Sequence, residues 1–142
     1  MKKVSDVLKI KGSDVWTIGP DASVYDAIHL MTEKKVGALM VVEGGKVVGV
    51  ISETDYTRKI ILKGRTSQLT PVKDIMTSHV LYVGPNQDIE ECMILMTEKR
   101  TRHLPVMDEG VLIGVISIGD AVKSVIDEQR FTIEQLERYI TG

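Results

Sequence analysis

The sequence of 142 residues is poor in the residues from which several kinds of site and scaffold are built. It has one cysteine, one phenylalanine, one tryptophan and four prolines. A lone cysteine excludes an internal disulfide framework and a cysteine-based metal cluster. No apolar run approaches the roughly 20 residues that span a bilayer, and the opening MKKVSDVLKIKG lacks the apolar stretch of a signal peptide. These absences predict a cytoplasmic protein that does not enter a membrane.

An excess of charge of one sign is also lacking. Lysine and arginine number 18 against 20 aspartates and glutamates, so the formal net charge is −2 at pH 7. A balance of this kind gives no general attraction to the phosphates of nucleic acid, and we expect no nucleic-acid partner. Hydrophobic residues make up 43% of the chain, enough to build the core of a globular domain.

Motifs that carry catalysis are missing as well. The sequence contains no P-loop, no nucleophile elbow and no HExxH pair. His29 and His79 have no second ligand at the spacing of a metal site. Cys92 falls on an apolar helical stripe and is predicted to be a core residue, with a redox role left open. We therefore expect no catalytic residue, no metal and no catalytic cofactor, and hence no enzyme.

What the sequence does contain is an internal repeat. A shift of 65 positions aligns Val15–Ile61 with Val80–Ile126 without a gap. The seven residues GVISETD at 49–55 return as GVISIGD at 114–120, and LMTEK occurs in both copies. Similarity of this kind inside one chain predicts that both halves fold alike.

Each copy shows the pattern of a β-α-β-β-α unit. A short extended run (15–18 and 80–83) ends at Gly-Pro, and an amphipathic helix, a β-hairpin with a glycine turn and a second helix follow. We predict an α+β fold with two such repeats, related by a pseudo-twofold axis and packed sheet to sheet. The expected boundaries are repeat one at about 1–62, a linker at 63–70, repeat two at about 71–130 and a C-terminal helix at 132–141.

Four helix starts are predicted from capping residues. Ser23 and Asp88 precede the first helix of each repeat, Thr70 precedes a short helical turn, and Thr132 precedes the C-terminal helix. Each of these side chains can accept a hydrogen bond from a backbone N–H group in the first turn of a helix.

The repeated GVISxxD has two interpretations. In the first, Ser52 with Asp55, and Ser117 with Asp120, are capping pairs at a strand-to-helix junction. In the second, the free N–H groups of the helix start attract a phosphate, and the aspartate accepts hydrogen bonds from a ribose diol. One residue can serve as both a cap and a ligand contact, so both interpretations stay open.

In order and spacing, these pieces resemble a tandem pair of CBS domains, the module named after cystathionine β-synthase. The resemblance rests on GVISETD and GVISIGD, on VKDIMT at 72–77 and on RHLPVMD at 102–108, and it covers nearly the whole chain. It implies a regulatory module that binds an adenosine-containing ligand (AMP, ADP, ATP, NAD(H) or S-adenosylmethionine) in clefts between the repeats. It also implies a homodimer and a regulated partner protein of unknown identity.

The resemblance also implies roles for individual residues. Aspartates hold the ribose, Ser52, Thr54 and Ser117 lie near phosphate, Arg102 and His103 reach the phosphate from the other repeat, and apolar residues wall the base. The implied nucleotide-binding residues are Ile18, Val50, Ser52, Thr54, Asp55, Val83, Arg102, His103, Val115, Ser117 and Asp120. Repeat one has Gly37-Ala38 where repeat two has Arg102-His103, so the cleft that uses Asp55 is the better equipped.

The predicted function is therefore a non-catalytic sensor of an adenine nucleotide that signals to another protein. The alternative is an interaction or scaffold module that binds no ligand and uses GVISxxD only as helix caps. Exposed apolar residues on the paired helices and on the tail would then carry the function.

Overall fold

In the computed structural model, which describes residues 2–141, the chain divides into two compact units. The central unit is Val15–Val80, and the terminal unit joins the N-terminal segment up to Asp14 to the chain from Leu81 onward. The fold is α+β, as predicted. Among the described residues, no helix is long and apolar enough to cross a membrane.

The central unit holds the first repeat. Its strands β1 (Thr17–Ile18), β2 (Ala38–Glu43) and β3 (Lys46–Ser52) form a sheet in the order β1-β2-β3, parallel and then antiparallel. Helix α2 (Val24–Lys34) lies before β2, and α3 (Glu53–Tyr56) follows β3 and continues into a π-helical stretch, Thr57–Ile61. The β2–β3 turn is Gly44-Gly45, with φ of 57° and 77°, values at which glycine avoids the strain of a side chain.

The terminal unit holds the second repeat and repeats this plan. Helix α4 (Ile89–Lys99) precedes the antiparallel hairpin of β4 (His103–Asp108) and β5 (Val111–Ser117). The predicted strand at 80–83 is reduced to a single parallel bridge between Val83 and Val106. Both hairpins carry a register irregularity at matching places, after Val41 and after Val106. The two copies therefore share even their local departures from regular pairing.

Each unit has its own apolar core. In the central unit, one face of α2 packs on the inner face of the hairpin, and in the terminal unit α4 does the same. The fully buried side chains include Val24, Ala27, Met31, Leu39, Val41 and Ile51 in the first and Ile89, Cys92, Met96, Leu104, Val106 and Ile116 in the second. The apolar spacing of both helices thus identified core positions.

The helical turn that precedes each repeat packs in the unit of the other repeat. Helix α1 (Val4–Lys11) lies in the terminal unit, where Val4 N donates to Gln87 O at 2.9 Å. The 3₁₀ turn Val72–Asp74 lies in the central unit, where Val72 N donates to Ala22 O at 2.8 Å. The acceptors are 65 positions apart, so the two segments dock on equivalent places of the two repeats.

A glycine in each hairpin lies under these docked segments. A Cβ on Gly49 would meet Met76 Sδ at 2.5 Å and the carbonyl oxygen of Thr77 at 3.0 Å. A Cβ on Gly114 would meet Leu8 Cδ2 at 2.7 Å. The first glycine of GVISxxD therefore allows close packing within the unit.

The predicted helix starts were partly wrong. Ser23 is confirmed, since its Oγ accepts from Asp26 N at 3.1 Å. Asp88 occupies the N-cap position of α4, as predicted, but its side chain makes no capping hydrogen bond, and its carboxylate lies 3.5 Å from the Lys3 ammonium instead. Thr70 donates its hydroxyl to Thr66 O at 2.8 Å, and Pro71 occupies the N-cap place of the 3₁₀ turn. At both Asp88 and Thr70, a partner outside the predicted cap holds the polar side chain.

The C-terminal helix does not begin at Thr132. One helix, α5 (Ile118–Thr141), runs without interruption through the second helix of the repeat and the tail. The hydroxyl of Thr132 donates to Glu128 O at 3.1 Å, one turn earlier. Because this bond satisfies the hydroxyl within the helix and no glycine or proline interrupts residues 120–141, nothing ends the helix there.

Cys92 is fully buried, and its surroundings disfavour ionisation of the thiol. Burial, together with the negative charges of Glu91 and Asp88, raises its pKa to about 11. The thiolate is the reactive form of cysteine, and at pH 8 a thiol of this pKa is only about 0.1% ionised. The prediction of a core residue is confirmed, and a redox role would require opening of the terminal unit.

We predict that Cys92 reacts with a thiol reagent only when the protein opens. Labelling by Ellman's reagent at pH 8 should be slow in buffer and complete in denaturant, since burial and the raised pKa act together. A Cys92→Ala, Ser13→Cys variant, with its thiol at an exposed position, provides the control and should label quickly. Equal rates for the two proteins would contradict the buried position.

We predict that Gly49→Ala destabilises the protein by about 1–3 kcal/mol, because its Cβ meets a backbone oxygen that cannot rotate away. Gly114→Ala is the matched control and should lose less, because its contacts are all with the side chain of Leu8, and the two shortest are with methyl groups that can rotate. Urea denaturation of the three proteins measures the difference. A Gly49→Ala variant as stable as the wild type would refute the close packing.

Candidate functional site

The two GVISxxD figures lie where a strand passes directly into a helix. Ser52 ends β3 and Asp55 lies in α3, whereas Ser117 ends β5 and Asp120 lies in the first turn of α5. Backbone bonds tie each helix start to the beginning of its hairpin: Glu53 N donates to Gly37 O at 3.1 Å, and Ile118 N to Arg102 O at 2.8 Å. The junctions are thus equivalent and held in place by main-chain bonds.

At both junctions the serine and the aspartate cap each other. Ser52 N donates to Asp55 Oδ2 at 3.0 Å, and Asp55 N donates to Ser52 Oγ at 3.3 Å. In the second copy, Ser117 N donates to Asp120 Oδ2 at 2.9 Å and Asp120 N to Ser117 Oγ at 3.1 Å. The capping interpretation is therefore correct for both copies. It fixes each carboxylate at a helix start and leaves it further acceptor capacity.

The Asp55 carboxylate has a lysine from its own helix as counter-ion. Lys59 Nζ lies 3.2 Å from Asp55 Oδ1 and donates to Ile75 O at 2.8 Å. The side chain of Asp55 is 13% exposed, so the carboxylate lies near the surface without being open to water on all sides. Two residues before Ser52, the backbone of Val50 exchanges two hydrogen bonds with Thr77, at 3.0 and 2.9 Å.

The Asp120 carboxylate has a lysine from a distant part of the sequence. Lys11, the last residue of α1, forms an ion pair with Asp120 Oδ2 and donates from the same nitrogen to Val115 O at 2.7 Å. Burial tends to raise the pKa of Asp120, but the hydrogen bonds from Lys11 and from the Ser117 amide outweigh it and lower the pKa. The carboxylate therefore stays ionised and able to accept further hydrogen bonds.

His103 lies in the same cluster of the terminal unit. It pairs across the hairpin with Ser117 at the start of β4. Burial and the positive charge of Lys11 lower its pKa, and Arg102 adds to this, while Asp120 opposes it. The imidazole is therefore mainly neutral at pH 7 and offers a hydrogen-bonding nitrogen rather than a positive charge. The neighbouring Arg102 is exposed.

The predicted site residues are divided between the two units. Ile18, Val50, Ser52, Thr54 and Asp55 belong to the central unit, and Val83, Arg102, His103, Val115, Ser117 and Asp120 belong to the terminal unit. Within each unit, the serine and the aspartate meet as predicted.

The apolar members of the predicted site differ in exposure. Val83 is 1% exposed and packs in the core of its unit, while Ile18, Val50 and Val115 are half-buried and Thr54 is exposed. For all of these residues a contact with ligand stays a prediction, as does the reach of Arg102 and His103 towards a phosphate held by the first repeat.

The role of Lys11 was not predicted from the sequence. Lys11 is 109 positions from its carboxylate partner and lies in a basic stretch, KIKG, that is typical of a solvated helix end. Pairing requires that α1 dock on the second repeat, a contact that local spacing does not encode.

Comparison with known proteins identifies the family. The sequence pattern of the CBS domain matches residues 4–62 and again residues 72–127. The chain belongs to the CBS-domain family. The resemblance drawn from GVISxxD and its neighbours is thereby confirmed, and this CBS-domain chain has two tandem copies.

Relatives and solved structures agree with this assignment. The CBS domain-containing protein CBSX3, mitochondrial, of Arabidopsis thaliana is 43% identical over 98% of this chain and 72% of its own length. A structure of a protein with CBS domains from Burkholderia ambifaria MC40-6 is 52% identical, with a TM-score of 0.86 over 90% of this chain and 96% of that one. Because a relative is named mitochondrial, a cytoplasmic location stays a prediction.

A more distant structure shares the fold and holds ligands. The CBS domain pair of the protein MJ0100 is 20% identical, with a TM-score of 0.80 over 90% of this chain and 98% of that one. That pair was solved in complex with 5′-methylthioadenosine and S-adenosyl-L-methionine.

We predict that His103 titrates below its ordinary pKa of 6.5 and that Lys11→Met moves its pKa upward, because a neighbouring positive charge is removed. The pH dependence of the imidazole NMR signals measures both values. Since folding lowers this pKa, the associated stability is complete above pH 6.5 and is lost as the pH falls from there through the folded-state pKa. Lys9→Met, at an exposed position on the same helix, is the control, and an equal shift in that variant would contradict the assignment.

Proposed function

We propose that this CBS-domain protein is a non-catalytic regulatory module that binds an adenosine-containing ligand and signals to a partner protein. The candidate ligands are AMP, ADP, ATP and NAD(H), with the ribose held by Asp55 or Asp120. We expect the module to act on a second polypeptide and to work as a homodimer.

The observation that carries this proposal is the pair of carboxylates, Asp55 and Asp120, whose orientation is held by hydrogen bonds. Asp55 and Asp120 each lie at a helix start, partly shielded from water, and reciprocal hydrogen bonds with Ser52 and Ser117 hold them in one orientation. An ionised carboxylate has about four acceptor positions, so the cap leaves acceptors for the hydroxyls of a ribose. The N–H groups of a helix start also favour a negatively charged phosphate nearby.

The ligands of the MJ0100 pair support the adenosine class. 5′-Methylthioadenosine and S-adenosyl-L-methionine share the adenosine moiety with AMP, ATP and NAD(H), so a ribose diol and an adenine ring are common to all candidates. Charged residues would select which group the ligand carries on its 5′ carbon, and Arg102 is the candidate for this role.

A second candidate function is an interaction module that needs no ligand. It is favoured by the apolar residues that α5 and α4 expose: Phe131 is 62%, Leu136 56%, Ile140 80% and Ile94 57% exposed. On this view the serine–aspartate pairs only begin helices, and the tail carries the binding surface.

A thermal-shift panel with AMP, ADP, ATP, NAD⁺, NADH and S-adenosylmethionine, with GMP as the ligand control, tests the proposal. A ligand at 100 times its Kd stabilises the folded protein by about 2.7 kcal/mol. We expect this stabilisation with an adenosine ligand in the wild type and its loss in Asp55→Ala. A stabilisation that survives Asp55→Ala and disappears in Asp120→Ala would assign the ligand to the terminal unit.

Asp26→Ala is the matched control variant. Asp26 stands three residues after the capping Ser23, as Asp55 stands after Ser52, but it belongs to the first helix of the repeat. Ligand stabilisation should persist in this variant. No stabilisation by any adenosine ligand, with a loss of about 1 kcal/mol in Asp55→Ala from the broken cap, would instead favour the interaction module.

A further inference from the structure

The Lys11 ammonium holds two acceptors of the terminal unit at once. It pairs with Asp120 Oδ2 and donates to the carbonyl oxygen of Val115 at 2.7 Å. The Lys11 and Asp120 side chains are 31% and 24% exposed, so the contact lies at the edge of the surface, where a small molecule could reach it. Since one nitrogen contacts both acceptors, they lie close enough together to receive two neighbouring hydroxyl groups.

The position of Lys11 follows from the docking of α1. The helix is anchored at its start by Val4 N on Gln87 O at 2.9 Å and along its length by Leu8 against Gly114. At its end, Gly12 N donates to Leu8 O at 2.8 Å and closes the last turn. The backbone of α1 therefore holds Lys11 near Asp120, whereas the Lys11 side chain can rotate away from the carboxylate.

The central unit satisfies the equivalent acceptors differently. There the carbonyl oxygen of Val50 accepts from the backbone of Thr77 at 2.9 Å, and Asp55 is paired through Oδ1 with Lys59 of its own helical segment. In the central unit, Thr77 and Lys59 thus bond the two acceptors whose equivalents are both bonded by Lys11 in the terminal unit. Breaking the Val50–Thr77 pairing requires movement of the main chain, whereas release of Lys11 requires only rotation of a side chain.

We propose that Lys11 is an internal competitor for the ribose site at Asp120 and determines whether the terminal unit takes a ligand. Its ammonium, a triple donor, occupies the place of the two hydroxyl donors of a ribose. A ligand that binds there displaces Lys11 and separates the end of α1 from β5. This inference rests on the proposed function, because it takes Asp120 to be a ribose acceptor.

Competition of this kind lowers the apparent affinity by the fraction of molecules in which Lys11 has released the site. From the strength of partly exposed ion pairs we expect a factor of about two to six. Salt should reverse the effect in part, because it screens the Lys11–Asp120 pair. A neutral ligand with a ribose diol should therefore bind the wild type more tightly as the salt concentration rises, which is the opposite of ordinary charge-driven binding.

The probe is adenosine, which carries the diol and no charge, and 2′,3′-dideoxyadenosine is the ligand control. Calorimetric titrations compare the wild type with Lys11→Met, which keeps an apolar chain without the ammonium, and with Lys9→Met, an exposed position of the same helix. All three proteins also carry Asp55→Ala, so that adenosine held by the central unit does not enter the comparison. We expect Lys11→Met to bind adenosine about two to six times more tightly and Lys9→Met to match the wild type. The gain should disappear in the double variant Lys11→Met, Asp120→Asn and with the dideoxy probe.

The outcomes separate this inference from the proposed function. If the wild type binds adenosine and Lys11→Met binds it equally or less well, the competition is refuted and the adenosine site stands. If only Lys11→Met binds, the competition is supported and the wild-type site is closed by Lys11. If no protein binds adenosine, the ribose role of Asp120 fails and the inference fails with it. Should Lys11→Met fold poorly, the salt series on the wild type gives the same decision, since affinity that falls or stays constant overturns the proposal.

Discussion

The structure depends on the packing of a short helical segment against a glycine in the hairpin of each repeat. Leu8 of α1 covers Gly114, and Met76, just after the 3₁₀ turn, covers Gly49. These contacts complete the apolar core of each unit, because a hairpin with one helix leaves part of its apolar face open to water. They also determine which polar groups reach the strand end, and hence the surroundings of the candidate site.

This packing makes the two strand-to-helix junctions differ in the groups that contact their aspartates. Both have the same reciprocal cap, with Ser52–Asp55 in one and Ser117–Asp120 in the other. In the central unit the docked chain continues into main-chain pairing with Val50, whereas in the terminal unit α1 ends and presents the ammonium of Lys11. Repeated sequence therefore produces two carboxylates of equal geometry with different counter-ions and different ease of release.

The same cluster changes the chemical character of His103. Sequence places it next to Arg102 as a basic pair, but burial and the nearby Lys11 lower its pKa and leave it mainly neutral at pH 7. Any positive charge offered to a ligand at the start of β4 therefore comes from Arg102, the residue just before the strand. Two isolated features, a lysine near the N-terminus and a histidine in the second repeat, become one electrostatic unit only in the folded protein.

The sequence by itself determined the features that depend on short spacings. The β-hairpins with their glycine turns, the apolar faces of α2 and α4 and the caps at Ser52 and Ser117 all follow from residues a few positions apart. The 65-residue repeat is also visible in the sequence, because the same residues return in the same order. Local spacing was also sufficient to identify the CBS domains. Asp88 does begin α4, but its carboxylate pairs with Lys3 rather than making the capping bond. The helix start predicted at Thr132 is wrong because α5 is continuous there.

The contacts between distant parts of the chain depend on the tertiary structure alone. Docking of α1 in the unit of the second repeat brings Lys11 to a carboxylate 109 residues away. No periodicity or motif encodes that contact, because it arises from the burial of Val4, Val7 and Leu8 against residues of another segment. The charge state of His103 and the counter-ion of Asp120 depend on the same packing, so they too could be known only from the folded chain.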